Sequence, residues 1–174
     1  MKNTLVINLF GGPGVGKSTL CASIFAKLKL MSIDCEMATE YAKDIVWEES
    51  YKKLENQIYI FGKQHSRVYR LLGKVDVIIT DSPLLNSIVY DRSQNRQLRE
   101  LVLSEFNKLT TLNFYITRKL KYEENGRVQS LNDALHIDEL YLDLIKNNNI
   151  KYYEIEPGQL DSVIDKTINL LYLK

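Results

Sequence analysis

From Thr4 to Phe10 the chain is largely apolar, and from Lys17 to Leu30 apolar residues recur at helical spacing, with glycines between the two stretches. This pattern predicts a strand, a tight connection and a helix at the start of the chain. Further strands are expected at Asp34 to Ala38, Val75 to Thr80, Leu112 to Thr117 and Ile150 to Ile155, with helical patterns filling most of the intervals. Val75, Val77, Ile78 and Ile79 form a short apolar run ending at Asp81, as a strand covered on both faces would. Parallel neighbours need crossover connections, and the intervening helices supply them.

One long helix is expected over Leu54 to Leu72, where Leu54, Ile58, Phe61, His65, Val68 and Leu72 follow one another at steps of three and four and form one buried face. Lys63, Arg67, Arg70 and Lys74 then make a basic stripe on nearly the opposite side. Such a stripe is either a solvated helix surface or a track for nucleic-acid phosphates.

Length and composition narrow the class. A chain of 174 residues, 45% hydrophobic and 26% charged, fits one globular domain spanning 1–174. The net charge of +1 gives no whole-molecule attraction for nucleic acid, so any such attraction must be local. The apolar stretch Leu5 to Phe10 is too short for a signal peptide or membrane span, so a cytoplasmic location without a membrane partner is expected. Cys21 and Cys35 lack metal-ligand spacing and are expected to be buried thiols.

The glycines carry the chemistry. Gly11-Gly12-Pro13-Gly14-Val15-Gly16-Lys17-Ser18 satisfies the Walker A pattern in full, between an expected strand and an expected helix. Gly12, Gly14, Val15 and Gly16 would bring backbone N–H groups to the phosphates of ATP, while the start of the helix adds its dipole. Lys17 would bridge the β- and γ-phosphates, Ser18 would ligate Mg²⁺, and Thr19 would assist at the α-phosphate. The fold expected from this motif is an α/β P-loop NTPase, a three-layer sandwich.

Two carboxylates are placed to choose the reaction. Asp81 ends an expected central strand, where ligands bind in open parallel sheets, and could hold Mg²⁺; it could instead cap a following helix. Ser82 follows it, where many hydrolytic motors carry a glutamate. Glu40 closes the second expected strand and would face the same cleft from the acceptor side, or simply open the helix at Tyr41. Either Glu40 or Asp81 could be the general base. After the fourth strand, a cation-rich segment containing Gly126 suggests a mobile lid at about 118–136, with a helix from about Asn132. Arg127 is the candidate for transition-state stabilisation, and Arg118 for stacking on adenine.

The blocks GGPGVGKST, TEYAKDIVWEE, NQIYIFGKQ, VDVIITDSPL and RKLKYEENGRVQS followed by ALHID resemble small P-loop kinases with the nucleoside monophosphate kinase core. Within that group they are similar to the ribosylnicotinamide kinase domain, and to phage proteins described as AAA-type ATPases or as 5-hydroxymethyluracil DNA kinases. The resemblance implies a five-stranded parallel sheet in the order 2-3-1-4-5, ATP on Lys17 and Ser18, and an acceptor cleft bordered by Glu40, Trp47 and Asp81. The expected activity is transfer of the γ-phosphoryl group from Mg²⁺-ATP to a nucleoside, a nucleotide or a hydroxymethylated base in modified DNA, in the host cytoplasm if the protein is phage-encoded. A P-loop ATPase without kinase activity, or a nucleotide-binding regulator, is the alternative from another class. Acceptor choice would rest with side chains such as Tyr41, Gln57, Tyr59 and Gln64.

Overall fold

Five parallel strands order the molecule: β1 (Leu5–Phe10), β2 (Cys35–Met37), β3 (Val77–Thr80), β4 (Thr110–Ile116) and β5 (Tyr153–Ile155), arranged β2-β3-β1-β4-β5. The structure, a computed structural model, describes residues 2–119 and 130–172. Between the strands run α1 (Lys17–Leu30), α2 (Tyr41–Trp47), α3 (Tyr51–Leu54), α4 (Gln57–Tyr69), α5 (Asn86–Val89), α6 (Arg96–Asn107) and α7 (Leu131–Asn147), and α8 (Leu160–Tyr172) follows β5. This is the P-loop α/β sandwich that the motif and the alternation of elements lead one to expect.

β1 is central because both its neighbours are parallel strands, with Leu5 opposite Val77 on one side and Thr110 on the other. Its residues are apolar with the exception of Asn8, whose amide donates to Asn113 Oδ1 on β4 at 2.9 Å. Successive side chains point to opposite faces. Leu5, Ile7 and Leu9, with Val77 and Ile79, therefore pack under α1 and α8, while Val6, Phe10, Ile78 and Tyr115 pack under α4, α6 and α7. The sheet is thus sealed on both faces.

One expectation needs correction. The helix expected over Leu54 to Leu72 runs only from Gln57 to Tyr69, a shorter helix α3 ending at Leu54 before it, because Asn56 turns its side chain to accept the Tyr59 N–H at 3.1 Å and so caps a new start at Gln57. The buried face then falls on Ile60, Phe61, Gln64 and Val68, and Ile58 is 60% exposed rather than buried. Periodicity found a helical face but missed the break that sets its rotation. The expected helix after the lid is α7, closed at its start by a reciprocal capping box between Ser130 and Asp133. Residues 131–136 of the expected lid belong to this helix, and residues 120–129 of that lid lie outside the described residues.

Candidate nucleotide and phosphoryl-transfer site

Between β1 and α1 the chain curls through Gly14 (φ 83°) and Gly16 (φ 92°), backbone conformations that side-chain-bearing residues rarely adopt. Gly16 is the residue from which α1 starts, so the open N–H groups of that helix face the concave side of the loop. Val15 is wholly buried in the core and anchors the loop from beneath; Ser18 and Thr19 are exposed at the mouth. Lys17 folds back across the loop and donates to the Gly11 and Gly12 carbonyls at 2.7 and 2.8 Å.

The two carboxylates singled out from the sequence lie close enough to act on this lysine through their charge, while among the described residues its ammonium bonds only to the loop carbonyls. Asp81, buried at the end of β3, accepts the backbone N–H of Glu40 at 3.1 Å, and Glu40 is the residue from which α2 starts. Asp81 does not cap α5, which begins from Leu85. Burial pushes the Glu40 carboxyl above its usual range, opposed by Lys17 and reinforced by the charge of Asp81. Burial likewise lowers Lys17, while Glu40, Asp81 and Asp138 pull it back up and Arg118 lowers it further. Lys17, Glu40 and Asp81 are therefore one electrostatic unit at the carboxyl ends of the strands, the position at which open parallel sheets bind ligands.

Ser82 is buried beside them and is engaged: Asn86 donates its side-chain amide to Ser82 Oγ at 3.0 Å and accepts the Tyr141 hydroxyl at 2.7 Å. The position after Asp81 thus holds a network that ties β3 to α7 and presents no carboxylate for polarising water.

Arg118 and Asp138 form the other wall. Asp138 on α7 accepts the Gly12 N–H with Oδ1 at 2.6 Å and Arg118 Nε with Oδ2 at 2.8 Å, and Arg118 also donates to the Pro13 carbonyl at 2.8 Å. The Gly12 N–H, expected to face phosphate, is committed to Asp138 instead. The Arg118 guanidinium, expected over adenine, has its edge fixed against the loop by these bonds, and its side chain is 13% exposed. Arg127 lies outside the described residues.

No group of three or more His, Cys, Asp or Glu among the described residues could hold a metal ion. The Ser18 hydroxyl and the Asp81 carboxylate do fit Mg²⁺, a hard ion that takes one or two protein oxygens and completes its shell with phosphate oxygens and water.

Beneath the start of α2, Gln64 is buried, accepts the Tyr41 N–H at 2.9 Å and donates to the Ala38 carbonyl, so it braces the chain leading into Glu40. The Tyr41 and Tyr59 hydroxyls share a hydrogen bond of 2.6 Å, which together with burial raises Tyr41 to about 12. Gln57 is turned back to the Leu54 carbonyl, and Trp47 is 70% exposed at the end of α2. The basic stripe is not uniform: Arg67 is bound to Asp44 and to Thr39 across α2, and Lys63 lies over the Tyr59 ring. A cleft of about 700 Å³ opens between the α5–α6 connection and α7, lined by Tyr90, Arg92, Leu98, His136 and Ile137 among others.

The family described as AAA domain matches residues 6–162. The chain belongs to the AAA domain family. No curated protein matches its sequence. Among solved structures, the crystal structure of NadR protein in complex with NR is similar, with a TM-score of 0.70, 15% identity and coverage of 99% of this chain. This chain spans about half of that one, 52% of its length, and the likeness is one of fold. No helix among the described residues is long and apolar enough to cross a membrane.

The site residues of this AAA domain that sequence reasoning did not reach lie mostly on α7, although the helix itself was expected. Asp138 interrupts an otherwise apolar inward face made by Ala134, Ile137, Tyr141, Leu144 and Ile145. A carboxylate at the centre of such a face needs a buried partner, and that was the available signal. Asn86 and Tyr141 carry no comparable signal, because a short polar residue and a tyrosine are at home in many environments.

Proposed function

We propose that this AAA domain protein is a kinase that transfers the γ-phosphoryl group of Mg²⁺-ATP to a hydroxyl of a small acceptor, a nucleoside, a nucleotide or a nucleobase hydroxymethyl group. The observation that carries this reading is the convergence of Lys17 with two carboxylates, Glu40 and Asp81, where the next residue, Ser82, is tied to Asn86. A phosphate loop alone would serve a motor equally well. A second carboxylate beside Asp81 suits an acceptor hydroxyl that must be oriented and relieved of its proton.

In this reading the loop amides and Lys17 hold the phosphates, and Ser18 and Asp81 hold Mg²⁺, which neutralises charge on the β- and γ-oxygens. Glu40, whose carboxyl is pushed upward by burial, accepts the proton of the acceptor hydroxyl as it attacks. A free acceptor is favoured over DNA because Arg67, the middle of the basic stripe, is already occupied by Asp44 and Thr39.

The test is γ-labelled ATP supplied with nucleosides, deoxynucleoside monophosphates, nicotinamide riboside, and DNA containing thymine or 5-hydroxymethyluracil. Label in one acceptor supports the proposal and names the substrate. Label found only in free phosphate sinks it, and label in DNA with a steep loss at higher salt would replace the free acceptor by a polynucleotide.

A further inference from the structure

We infer that Asp138, a residue of α7 far from the loop in sequence, is a positioning residue that sets the orientation of the phosphate loop and of its lysine. The inference rests on the reading of the loop as an ATP site. Its basis is one peptide group, the one that joins Gly11 to Gly12. The carbonyl of that group accepts Lys17 Nζ at 2.7 Å, and its N–H donates to Asp138 Oδ1 at 2.6 Å. A trans peptide directs its C=O and N–H to opposite sides. Asp138 and Lys17 therefore stand at the two ends of a single peptide dipole, the carboxylate at its positive end and the ammonium at its negative end.

This arrangement has only one stable sense. Rotating the peptide about its flanking bonds would set a carbonyl oxygen against the carboxylate and an N–H against the ammonium, and both contacts would be repulsive in a site sheltered from water. Asp138 thus selects the peptide orientation that presents the Gly11 carbonyl to Lys17. With the Gly12 carbonyl at 2.8 Å, that carbonyl fixes where the ammonium sits.

The carboxylate is itself held. Its second oxygen accepts Arg118 Nε at 2.8 Å, and Arg118 reaches on to the Pro13 carbonyl at 2.8 Å, so consecutive loop residues are gripped from the same side. The packing is close enough to require glycine at position 12, where a Cβ would lie 2.7 Å from both the Ala134 carbonyl oxygen and Asp138 Oδ1. One of those neighbours is helix backbone and cannot step aside.

The experiment is ATP binding by calorimetry on wild type, Asp138→Ala, Asp138→Asn and Gly12→Ala, with folding checked by circular dichroism. Asp138→Ala is expected to weaken ATP by about 10- to 100-fold, the scale of a displacement near 1 Å. Asp138→Asn, which keeps an oxygen for the Gly12 N–H but not the charge, should lie between Asp138→Ala and wild type. Gly12→Ala should reproduce the defect by forcing α7 off the loop. In turnover assays the acceptor KM should stay within about twofold while kcat and the ATP KM change, a split that general loss of stability would not produce. Folded Asp138→Ala binding ATP within twofold of wild type overturns the inference, and if that variant does not fold, Asp138→Asn decides by the same criterion. Wild type failing to bind ATP would overturn the ATP-site reading along with it, whereas ATP binding without phosphoryl transfer would leave this inference standing and remove only the kinase proposal.

Discussion

Asp81 accepts the backbone N–H of Glu40 at 3.1 Å, so the carboxylate that ends β3 also fixes the first turn of α2. This bond is favoured by the Asp81 charge, but it also brings a second acidic side chain, that of Glu40, near the first. The charge of Lys17 acts on both and offsets part of that repulsion.

The cost should be visible in stability. Burial raises Glu40, Lys17 opposes the shift and Asp81 adds to it. An acid whose folded value lies above its unfolded one stabilises the fold in its protonated form, and that contribution is lost as pH rises through the folded value. Glu40→Gln should therefore melt higher than wild type at about pH 8 and converge with it toward about pH 4, near the ordinary carboxyl range. Phosphoryl transfer by the same variant should drop by about 100-fold or more. Identical melting offsets at both pH values would show that the buried charge carries no such cost.

Tyr141→Phe removes the hydroxyl that Asn86 accepts at 2.7 Å and leaves that amide oxygen buried without its donor. The expected loss is about 1–3 kcal/mol, or roughly 2–4 °C in Tm per kcal/mol for a chain of this size. Thermal denaturation measures it, and a change below 1 °C would mean that water replaces the lost hydroxyl.

Arg67 and Asp44 join α4 to α2, with side chains 23% and 48% exposed. Solvent screens such a pair, so a double-mutant cycle on Arg67→Ala and Asp44→Ala should give a coupling of only about 0.2–1 kcal/mol. Because Arg67 also holds Thr39, the neighbour of Glu40, under the proposed function its loss should raise the acceptor KM and leave ATP affinity unchanged. The reverse pattern would place the acceptor elsewhere, with the cleft beside α7 as the next place to look.

Burial pushes the Cys21 thiol up to about 12 and the Cys35 thiol up to about 11, and both are free cysteines. At pH 8 neither should be appreciably ionised in the folded protein. A chromogenic disulfide reagent should report almost no reaction over minutes in buffer and both thiols in guanidinium chloride. Fast titration of either thiol in buffer would contradict their placement.

Much of this fold was legible because its signals are local. Each expected strand exists, shifted at its ends by one to a few residues, since apolar runs such as Val77 to Thr80 carry their own β pattern. The phosphate loop was legible for the same reason: its conformation is demanded by neighbouring glycines. What escaped depended on contacts between distant parts of the chain. Whether Arg118 faces a base or a carboxylate is decided by Asp138, and nothing near position 118 announces it. The break at Asn56 was missed because asparagine is unremarkable within a helical pattern until its side chain is seen to cap Gln57 onward.

The bond between Gly12 and Asp138 spans 126 positions of sequence. Closing so long a separation is a late event when a chain folds, because it must wait for the elements between to dock. A ribosome-bound chain that has completed β1, the glycines and α1 therefore carries the whole motif without the clasp that shapes it. Under the proposed function, nucleotide capture is expected to begin only after α7 has emerged and packed, so that ATP would be a ligand of the finished molecule and a poor template for its assembly.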